Sequence, residues 1–190
     1  MPGCYQTLMR LFTGLDLAPH VSSALEQLLA TLRPLAPLRW TRVENLHVTT
    51  KFIGEWPAAK LDEMKVALAK VPGRDPVPIA VHGLGWKPNP RNPRLFWAGV
   101  EAPQLSDLAH DIDQALAKLG VPREERAFTA HLTLARIGKP VPLDGVQKKV
   151  AALPSTEFGS FEADRFFLYL SEPGPGGSVY TKLAEFPFAK

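Results

Sequence analysis

The chain has 190 residues, of which 45% are hydrophobic and 22% are charged, and its formal net charge is +3. This composition is typical of a folded soluble protein and excludes a chain that is disordered throughout. The single cysteine, Cys4, excludes an internal disulfide framework and a zinc site built from cysteines. No apolar run is long enough to span a membrane and no signal peptide is evident, so we expect a cytoplasmic protein without a membrane segment.

In chain order, the first half alternates predicted strands and helices. An apolar run without a breaker predicts a strand at 8–15. Pro19 then suits the first turn of a helix, in which apolar residues recur at helical spacing up to Leu32. The next predicted elements are a strand at 46–53, a short helix at 61–71 and a strand at 77–84.

The second half repeats this order of elements. A strand is predicted at 95–100, Pro103 opens a helix, and Gly120 ends it. The basic, proline-rich segment 86–94 is predicted to be a hairpin loop between the two halves. The remaining predictions are a strand at 131–137, a short helix at 143–150, and strands at 161–170 and 179–186 joined by a loop at 172–177.

Short sequence motifs recur at one constant offset. Arg10-Leu11-Phe12 recurs as Arg94-Leu95-Phe96, and His47-Val48-Thr49 recurs as His131-Leu132-Thr133. Each second copy lies 84 positions after the first (131 − 47 = 84). Chance matches would not share one offset, so the chain contains two copies of one structural unit.

The repeat predicts the fold class. Two copies of a strand, helix, strand, helix, strand unit indicate an α+β protein made of two pseudo-twofold-related lobes. We expect each lobe to be a mainly antiparallel sheet with helices on its outer side, and the two lobes to enclose a central cleft. Residues 1–190 would then form a single bilobal domain, with repeat copies at roughly 8–85 and 92–186.

Each copy carries a His-x-Thr motif on a predicted strand. Residues i and i+2 of a strand share a face, so His47 lies beside Thr49 and His131 lies beside Thr133. If the lobes face each other about a pseudo-twofold axis, two imidazoles and two hydroxyls meet across one cleft. The alternate residues are predicted to pack on the core, namely Val48, Phe52, Leu132 and Leu134, with Thr50 as a polar exception.

This set of groups suits an in-line displacement at phosphorus. One imidazole can act as a base while its protonated twin acts as an acid, because histidine titrates near neutrality. Threonine hydroxyls can donate hydrogen bonds to the non-bridging phosphate oxygens. Two histidines on different strands are too few ligands for a metal, so we expect no metal site. His20, His82 and His110 lack a threonine partner, and we expect them at incidental surface positions.

The motifs at 47–50 and 131–134 resemble the paired HxTx motifs of the two-histidine (2H) phosphoesterases. The flanking segments 9–12, 91–97, 128–136 and 180–183 resemble the bacterial and archaeal RNA 2′,3′-cyclic phosphodiesterases, a group first described as 2′-5′ RNA ligases. The resemblance runs from about Met9 to Phe188.

The resemblance implies hydrolysis of a 2′,3′-cyclic phosphate at an RNA end or on a nucleotide, giving a 2′-phosphomonoester without a metal or other cofactor. It implies that His47 is the proton donor, that His131 is the proton acceptor, and that Thr49 and Thr133 hold the phosphate. By reversibility, a weak 2′-5′ ligase activity is expected. We expect a monomer.

Arg136 is a further phosphate-binding candidate, because a basic residue at this place matches the family pattern and a guanidinium suits phosphate. Arg136 is five residues from His131, however, and ideal alternation turns it to the opposite face. It can reach the phosphate only if the strand ends, bends or bulges after Leu134. The first copy has Phe52 at the equivalent position.

Two other functions remain open from the sequence. One is a related 2H enzyme that acts on 2′-5′ oligoadenylates or ADP-ribose cyclic phosphate. The other is a module that binds RNA ends without turning them over. The basic segment 86–94 could contact an RNA backbone, with Trp86 or Trp97 as a base-stacking residue. A solvated loop beside a buried tryptophan explains the segment equally well.

Overall fold

The computed structural model describes residues 7–175 and 177–188, so Cys4 lies outside the described residues. In this part of the chain, four α-helices accompany two antiparallel sheets, which confirms the predicted α+β class. The strands are β1 (Leu8–Asp16), β2 (Arg39–Trp40), β3 (His47–Pro57), β4 (Val77–Lys87), β5 (Leu95–Glu101), β6 (His131–Arg136), β7 (Glu157–Ala163), β8 (Arg165–Gly174) and β9 (Gly177–Pro187), and the helices are α1 (Pro19–Leu32), α2 (Leu61–Leu68), α3 (Leu105–Ala117) and α4 (Asp144–Ala151).

The two histidine motifs lie in different sheets. The first sheet, with strand order β3-β1-β8-β9, is called the His47 sheet here. The second, with strand order β2-β6-β5-β4-β7, is called the His131 sheet. Every pairing in both sheets is antiparallel. The order β3-β1-β8 therefore corresponds to β6-β5-β4, as the pseudo-twofold repeat requires.

The sheets differ from the repeat copies in one respect. Strand β4 belongs to the first copy but pairs with β5 and β7 in the His131 sheet. Strand β8 belongs to the second copy but pairs with β1 in the His47 sheet. The cause for β4 is local. The segment 86–94 was predicted to be a hairpin loop; its residues 88–94 join β4 directly to β5, and a short hairpin favours pairing of its two strands. Each sheet thus contains strands from both copies.

One predicted strand is wrong. The segment 161–170 is two strands rather than one, because the chain breaks at Asp164 between β7 and β8, which lie in different sheets. The backbone oxygen of Asp164 accepts a hydrogen bond from the amide of Phe188 at 2.7 Å, which fixes this crossing point. A nearly continuous apolar run conceals such a break, since hydrophobicity does not record a change of sheet.

One large core lies between the sheets and the helices, and a smaller aromatic cluster of Phe12, Phe167 and Tyr169 is separate from it. Helix α1 packs against β7, α3 packs against β3, and α2 packs against α3. The core residues of the histidine strands, Val48, Leu132 and Leu134, are fully buried as predicted. None of the helices in the described part of the chain has the length and apolar character that a membrane span requires.

Candidate active site

His47 and His131 are held in the same way at the first residue of β3 and of β6. The Nδ1 atom of His47 lies 2.7 Å from the backbone oxygen of Asn45, and that of His131 lies 2.9 Å from the backbone oxygen of Thr129. A carbonyl oxygen can only accept, so Nδ1 carries the hydrogen in both rings. Each Nε2 is then left to accept a proton in the neutral ring or to donate one in the charged ring.

The two strands bring the rings into one electrostatic environment. Strands β3 and β6 contact each other where the two sheets meet. Burial is the main cause that lowers the pKa of His47, and the positive charges of Arg136 and His131 lower this pKa further. Burial likewise lowers the pKa of His131, with contributions from the charges of Lys87 and Arg136. The charge of His131 therefore acts on His47, and the charge of Arg136 acts on both rings.

The two phosphate-binding candidates lie beside the rings. Thr49 is opposite Gly14 in β1, and Thr133 is opposite Trp97 in β5. Both threonines are half-buried, and neither hydroxyl has a hydrogen-bond partner among the described residues. A Cβ on Gly14 would lie 2.7 Å from the Val48 oxygen and 3.3 Å from the His47 ring, so only glycine leaves this space open.

Both histidine strands contain the same irregularity. In β6, Thr133 pairs with Trp97 and Ala135 pairs with Phe96, so Leu134 has no partner in β5. In β3, Thr50 is skipped in the pairing with β1 in the same way. A bulge of this kind reverses the alternation of side chains beyond it. Thr50 and Leu134 are 84 positions apart (134 − 50), so the bulge belongs to the repeat.

The bulge returns Arg136 to the face that carries His131 and Thr133. Leu134 and Ala135 are both buried, and Arg136 is exposed next to them. Its charge lowers the pKa of both His47 and His131, which agrees with a position near both rings. The sequence required an end, a bend or a bulge of the strand after Leu134 for Arg136 to reach the phosphate, and the bulge meets this requirement.

The same bulge overturns the prediction for Phe52. The sequence placed Phe52 on the core, yet its exposed fraction is 63%. Its ring centroid lies 6.3 Å from that of Phe12, which in turn lies 4.7 Å from that of His47. Thr50 and Lys51 take the two buried positions before it, and the Thr50 hydroxyl bonds to the Thr13 hydroxyl at 2.7 Å. Phe52 was missed because ideal alternation assigns it to the wrong face.

An aromatic and charged cluster surrounds His47. The rings of Phe12, Tyr169 and Tyr180 have centroids within 4.7–5.8 Å of the imidazole. Asp16 is the cross-strand partner of His47, and it accepts hydrogen bonds from the hydroxyl of Tyr169 and the ammonium of Lys182. The Asp16 charge raises the pKa of His47, against the larger effect of burial. Burial and the bond to Asp16 raise the pKa of Tyr169.

A polar cavity of about 510 Å³ opens beside this cluster. His47 forms part of its wall, together with Asp16, Asn45, Tyr180 and Lys182. Its volume is in the range that small-molecule sites occupy, about 300–1,000 Å³. No pattern in the sequence predicts this cavity, because its wall combines residues from separate segments of the chain.

The other three histidines have different partners. His20 bonds to the Ser160 oxygen, His82 pairs with Glu101, and His110 contacts Gln114. Among residues 7–175 and 177–188, no three His, Cys, Asp or Glu side chains come together as a metal site would need.

Two equivalent histidines, each with a fixed Nδ1–H, on related strands of two antiparallel sheets define the two-histidine class of phosphoesterases. A family model described as LigT-like phosphoesterase matches the chain twice, over residues 15–97 and 99–180, and the chain belongs to this family. The two matches begin 84 positions apart (99 − 15), which is the offset of the repeat.

Curated relatives cover nearly the whole chain. An RNA 2′,3′-cyclic phosphodiesterase of Methanothermobacter thermautotrophicus is 33% identical over 181 residues, which are 94% of this chain and 98% of the relative. One of Archaeoglobus fulgidus is 34% identical over 179 residues, which are 94% of this chain and 99% of the relative.

Solved structures share the fold. The crystal structure of a Thermus thermophilus protein superimposes with a TM-score of 0.79 at 30% identity, over 95% of this chain and 98% of that one. Escherichia coli LigT complexed with 3′-AMP gives a TM-score of 0.78 at 23% identity, over 97% of this chain and 100% of that one. The second likeness concerns the fold alone.

Proposed function

We propose that the chain is an RNA 2′,3′-cyclic phosphodiesterase, which opens the cyclic phosphate to a 2′-phosphomonoester by acid–base catalysis without a metal. The observation that carries the proposal is the matched pair of imidazoles, each with Nδ1–H on a carbonyl and Nε2 available to substrate. The names of the curated relatives support the substrate, an RNA end or a nucleotide with a cyclic phosphate.

In the proposed reaction, a water molecule attacks phosphorus while His131 accepts its proton at Nε2. The bond from phosphorus to the 3′-oxygen breaks, and His47 gives its Nε2 proton to that oxygen. The hydroxyls of Thr49 and Thr133 donate hydrogen bonds to the non-bridging oxygens, and Arg136 balances the negative charge that develops there. The proton balance is restored when the two histidines exchange one proton through solvent.

The charges beside the two rings support this assignment of roles. Among the described residues that shift these two pKa values, Asp16 is the one carboxylate, and it acts on His47. A carboxylate stabilises an imidazolium, whereas the positive charge of Lys87 disfavours one at His131. These charges favour His47 as the proton donor and His131 as the acceptor.

Nucleotide binding follows from the groups around the rings. Phe52 presents an exposed ring on the cleft face, where a base can stack on it. The cavity beside His47 has room for a ribose with its hydroxyls, and its polar wall suits them. Both catalytic histidines belong to one chain, so a cytoplasmic monomer, as the sequence predicts, needs no second copy to complete the site.

The direct test is incubation of the protein with the four nucleoside 2′,3′-cyclic phosphates in the presence of EDTA. We expect hydrolysis, with the product phosphate on the 2′-oxygen as identified by ³¹P NMR. Loss of activity on chelation would contradict the metal-free mechanism. Parallel incubations with 2′-5′ oligoadenylate and ADP-ribose cyclic phosphate test the related enzymes. A cyclic nucleotide that is bound but unaltered after long incubation would favour a binding module.

Replacement of either catalytic histidine tests the mechanism itself. His47→Ala or His131→Ala should each lower kcat for a cyclic nucleotide by about 10²–10⁴-fold, the usual contribution of a general acid or base. The matched control is His110→Ala, an exposed histidine outside the cleft, which should keep its activity. Near-normal activity in either cleft variant, with an unchanged melting temperature, would contradict the proposed roles.

A further inference from the structure

Arg39 lies next to the candidate phosphate ligand Arg136, and the mechanism above gives it no role. The two arginines are directly opposite each other in the pairing of β2 with β6. Residues that are directly opposite in a sheet share a face. Arg39 therefore lies on the face that carries His131, Thr133 and Arg136.

The neighbouring row of the same strands agrees with this orientation. Trp40 is opposite Ala135 in β6, and Ala135 is opposite Phe96 in β5. Ala135 and Phe96 are fully buried, and the Trp40 ring meets that of Phe96 edge-on, with the centroids 6.2 Å apart. Trp40 therefore faces the core. Because side chains alternate along a strand, Arg39 faces the opposite way.

The two guanidiniums lie side by side without a counter-charge. Both side chains are exposed, and neither makes an ion pair, a side-chain hydrogen bond or a ring contact with the described residues. Four other arginines each pair with a carboxylate, namely Arg33, Arg42, Arg74 and Arg165. Like charges that are directly opposite in a sheet repel each other, so this pair carries an electrostatic cost that a bound anion would offset.

The anion that Arg39 can hold is adjacent to the reacting phosphate rather than the same group. Arg39 and Arg136 start from neighbouring strands, whose backbones are about 4.8 Å apart. The charge of Arg136 lowers the pKa of both His47 and His131, whereas Arg39 is not among the groups that shift either pKa. Arg136 thus serves the phosphate between the two rings, and Arg39 lies to one side of it.

An RNA end supplies a second anion next to the first. Its terminal nucleotide carries the 2′,3′-cyclic phosphate on one side of the ribose and another phosphate on the 5′-oxygen. A plain nucleoside 2′,3′-cyclic phosphate lacks the second group. A guanidinium binds phosphate oxygens through paired hydrogen bonds, and such contacts position a nucleic acid without reading its sequence.

We propose that Arg39 binds the phosphate on the 5′-oxygen of the terminal nucleotide, so that substrates with this phosphate are preferred over plain nucleoside cyclic phosphates. The inference rests on the proposed function, because Arg39 is placed relative to the phosphate on which the two histidines act. The ligand is a monoester on a free nucleotide or a diester within an RNA strand, and both present the same non-bridging oxygens. Arg39 touches no reacting atom, so its effect belongs in KM rather than in kcat.

The test compares three substrates: uridine 2′,3′-cyclic phosphate, the same nucleotide with a 5′-phosphate, and an RNA oligonucleotide that ends in a 2′,3′-cyclic phosphate. In the wild type, kcat/KM should be higher for the two substrates with the additional phosphate. Arg39→Gln should lower kcat/KM for these two about three- to tenfold, through KM, and leave the plain nucleotide unaffected. Arg39→Lys keeps the charge and should recover most of the loss.

Salt and stability give two independent measurements. Loss of one phosphate contact should make the slope of log kcat/KM against log salt concentration shallower by about 0.7 for the oligonucleotide. The melting temperature of Arg39→Gln should equal or exceed that of the wild type, because repulsion from Arg136 is relieved. The matched control is Lys118→Gln, which removes an exposed positive charge at the C-terminal end of α3 and should leave all three substrates unaffected.

Each outcome decides for or against the subsite. A fall confined to the oligonucleotide identifies an RNA diester as the ligand, and a fall confined to the 5′-phosphorylated nucleotide identifies a monoester. An equal fall for all three substrates, or none for any, would overturn the proposal. A wild type that hydrolyses all three equally well would overturn it while leaving the proposed function intact. A wild type that hydrolyses none would overturn both.

Discussion

In the proposed mechanism one proton serves both rings, so the site titrates as a pair rather than as two separate groups. The proposed reactive form has His47 charged and His131 neutral, and it disappears when the pair gains a second proton or loses its only one. Burial is the main cause that lowers the pKa of both rings below the ordinary value of 6.5, and the charge of Arg136 lowers both pKa values further. The alkaline limb of activity must then fall on the acid side of that value.

The pH profile of kcat/KM for a cyclic nucleotide checks this at single residues. The wild-type protein should give a bell-shaped profile whose alkaline limb has an apparent pKa below 6.5. Arg136→Met removes a charge that lowers both pKa values, so both limbs should move to higher pH. Asp16→Asn removes the charge that raises the pKa of His47, so the alkaline limb should move to lower pH.

A charge variant away from the cleft provides the control for the pH experiment. Lys118→Met changes the net charge of the protein by the same amount as Arg136→Met, and it should leave both limbs in place. If Arg136→Met lowers activity without moving either limb, then Arg136 acts on the substrate alone and the electrostatic account of the two rings is wrong.

At the scale of strands, the sequence predicted the parts of the site that follow ideal geometry. Period-two alternation correctly placed Val48 and Leu132 on the core. It was wrong for Phe52, because the alternation fails beyond the bulge at Thr50. A bulge is decided by pairing with the neighbouring strand, and a single strand sequence does not contain that information. The cavity beside His47 was unpredictable for the same reason, since its wall exists only after assembly.

The bulge also buries a charge that ideal alternation would expose. Lys51 has an exposed fraction of 6%, and its ammonium lies 2.5 Å from a carboxylate oxygen of Asp113 in α3 and 2.7 Å from the Pro122 oxygen. Burial acts to raise the pKa of Asp113, but hydrogen bonds from Lys51 and from the backbone amide of Glu124 hold this pKa below its ordinary 3.8. This pair therefore ties β3, which carries His47, to α3.

Breaking this pair should destabilise the fold. Lys51→Met leaves the partly buried carboxylate of Asp113 without its cation, and we expect the free energy of unfolding to fall by about 1–3 kcal/mol at pH 7. The double variant Lys51→Met, Asp113→Leu should recover most of that loss, because an apolar pair needs no charge compensation. Urea titration measures both. If Lys51→Met is as stable as the wild type, the pair of Lys51 and Asp113 does not stabilise the fold and this prediction is wrong.

Acid titration of the wild type checks the same pair independently. The pKa of Asp113 is lowered in the folded state, so its contribution to stability is fully present above the unfolded value of 3.8. The contribution is lost as pH falls through the lower folded-state pKa. The stability difference between wild type and Lys51→Met should therefore shrink below about pH 3.8, where Asp113 becomes protonated.

At the scale of the whole molecule, the repeat predicted the symmetry but not the exchange of strands between sheets. Motif spacing reports which segments are equivalent, and it does not report which of them pair. Because β4 completes the His131 sheet and β8 completes the His47 sheet, neither copy contains a whole sheet of its own. We propose that the chain is one folding unit, although its sequence divides into two halves.

Cutting the chain in the hairpin between β4 and β5 tests this. The fragment 1–90 keeps the β1–β3 pair, but β4 loses both of its neighbours and α1 loses its contact with β7. The fragment 91–190 loses the pairing of β8 with β1 and the contact of α3 with β3. Each fragment alone should show no cooperative thermal transition. Their mixture, refolded together, should regain cyclic-nucleotide hydrolysis and a cooperative transition, because all sheet partners are then present.

The control is the intact protein cleaved at an inserted protease site in the same hairpin. This cleaved protein should stay folded, since the loop is exposed at 88–92. A cooperative transition in either isolated fragment would contradict a single folding unit and would indicate that one copy folds without the strand it receives from the other.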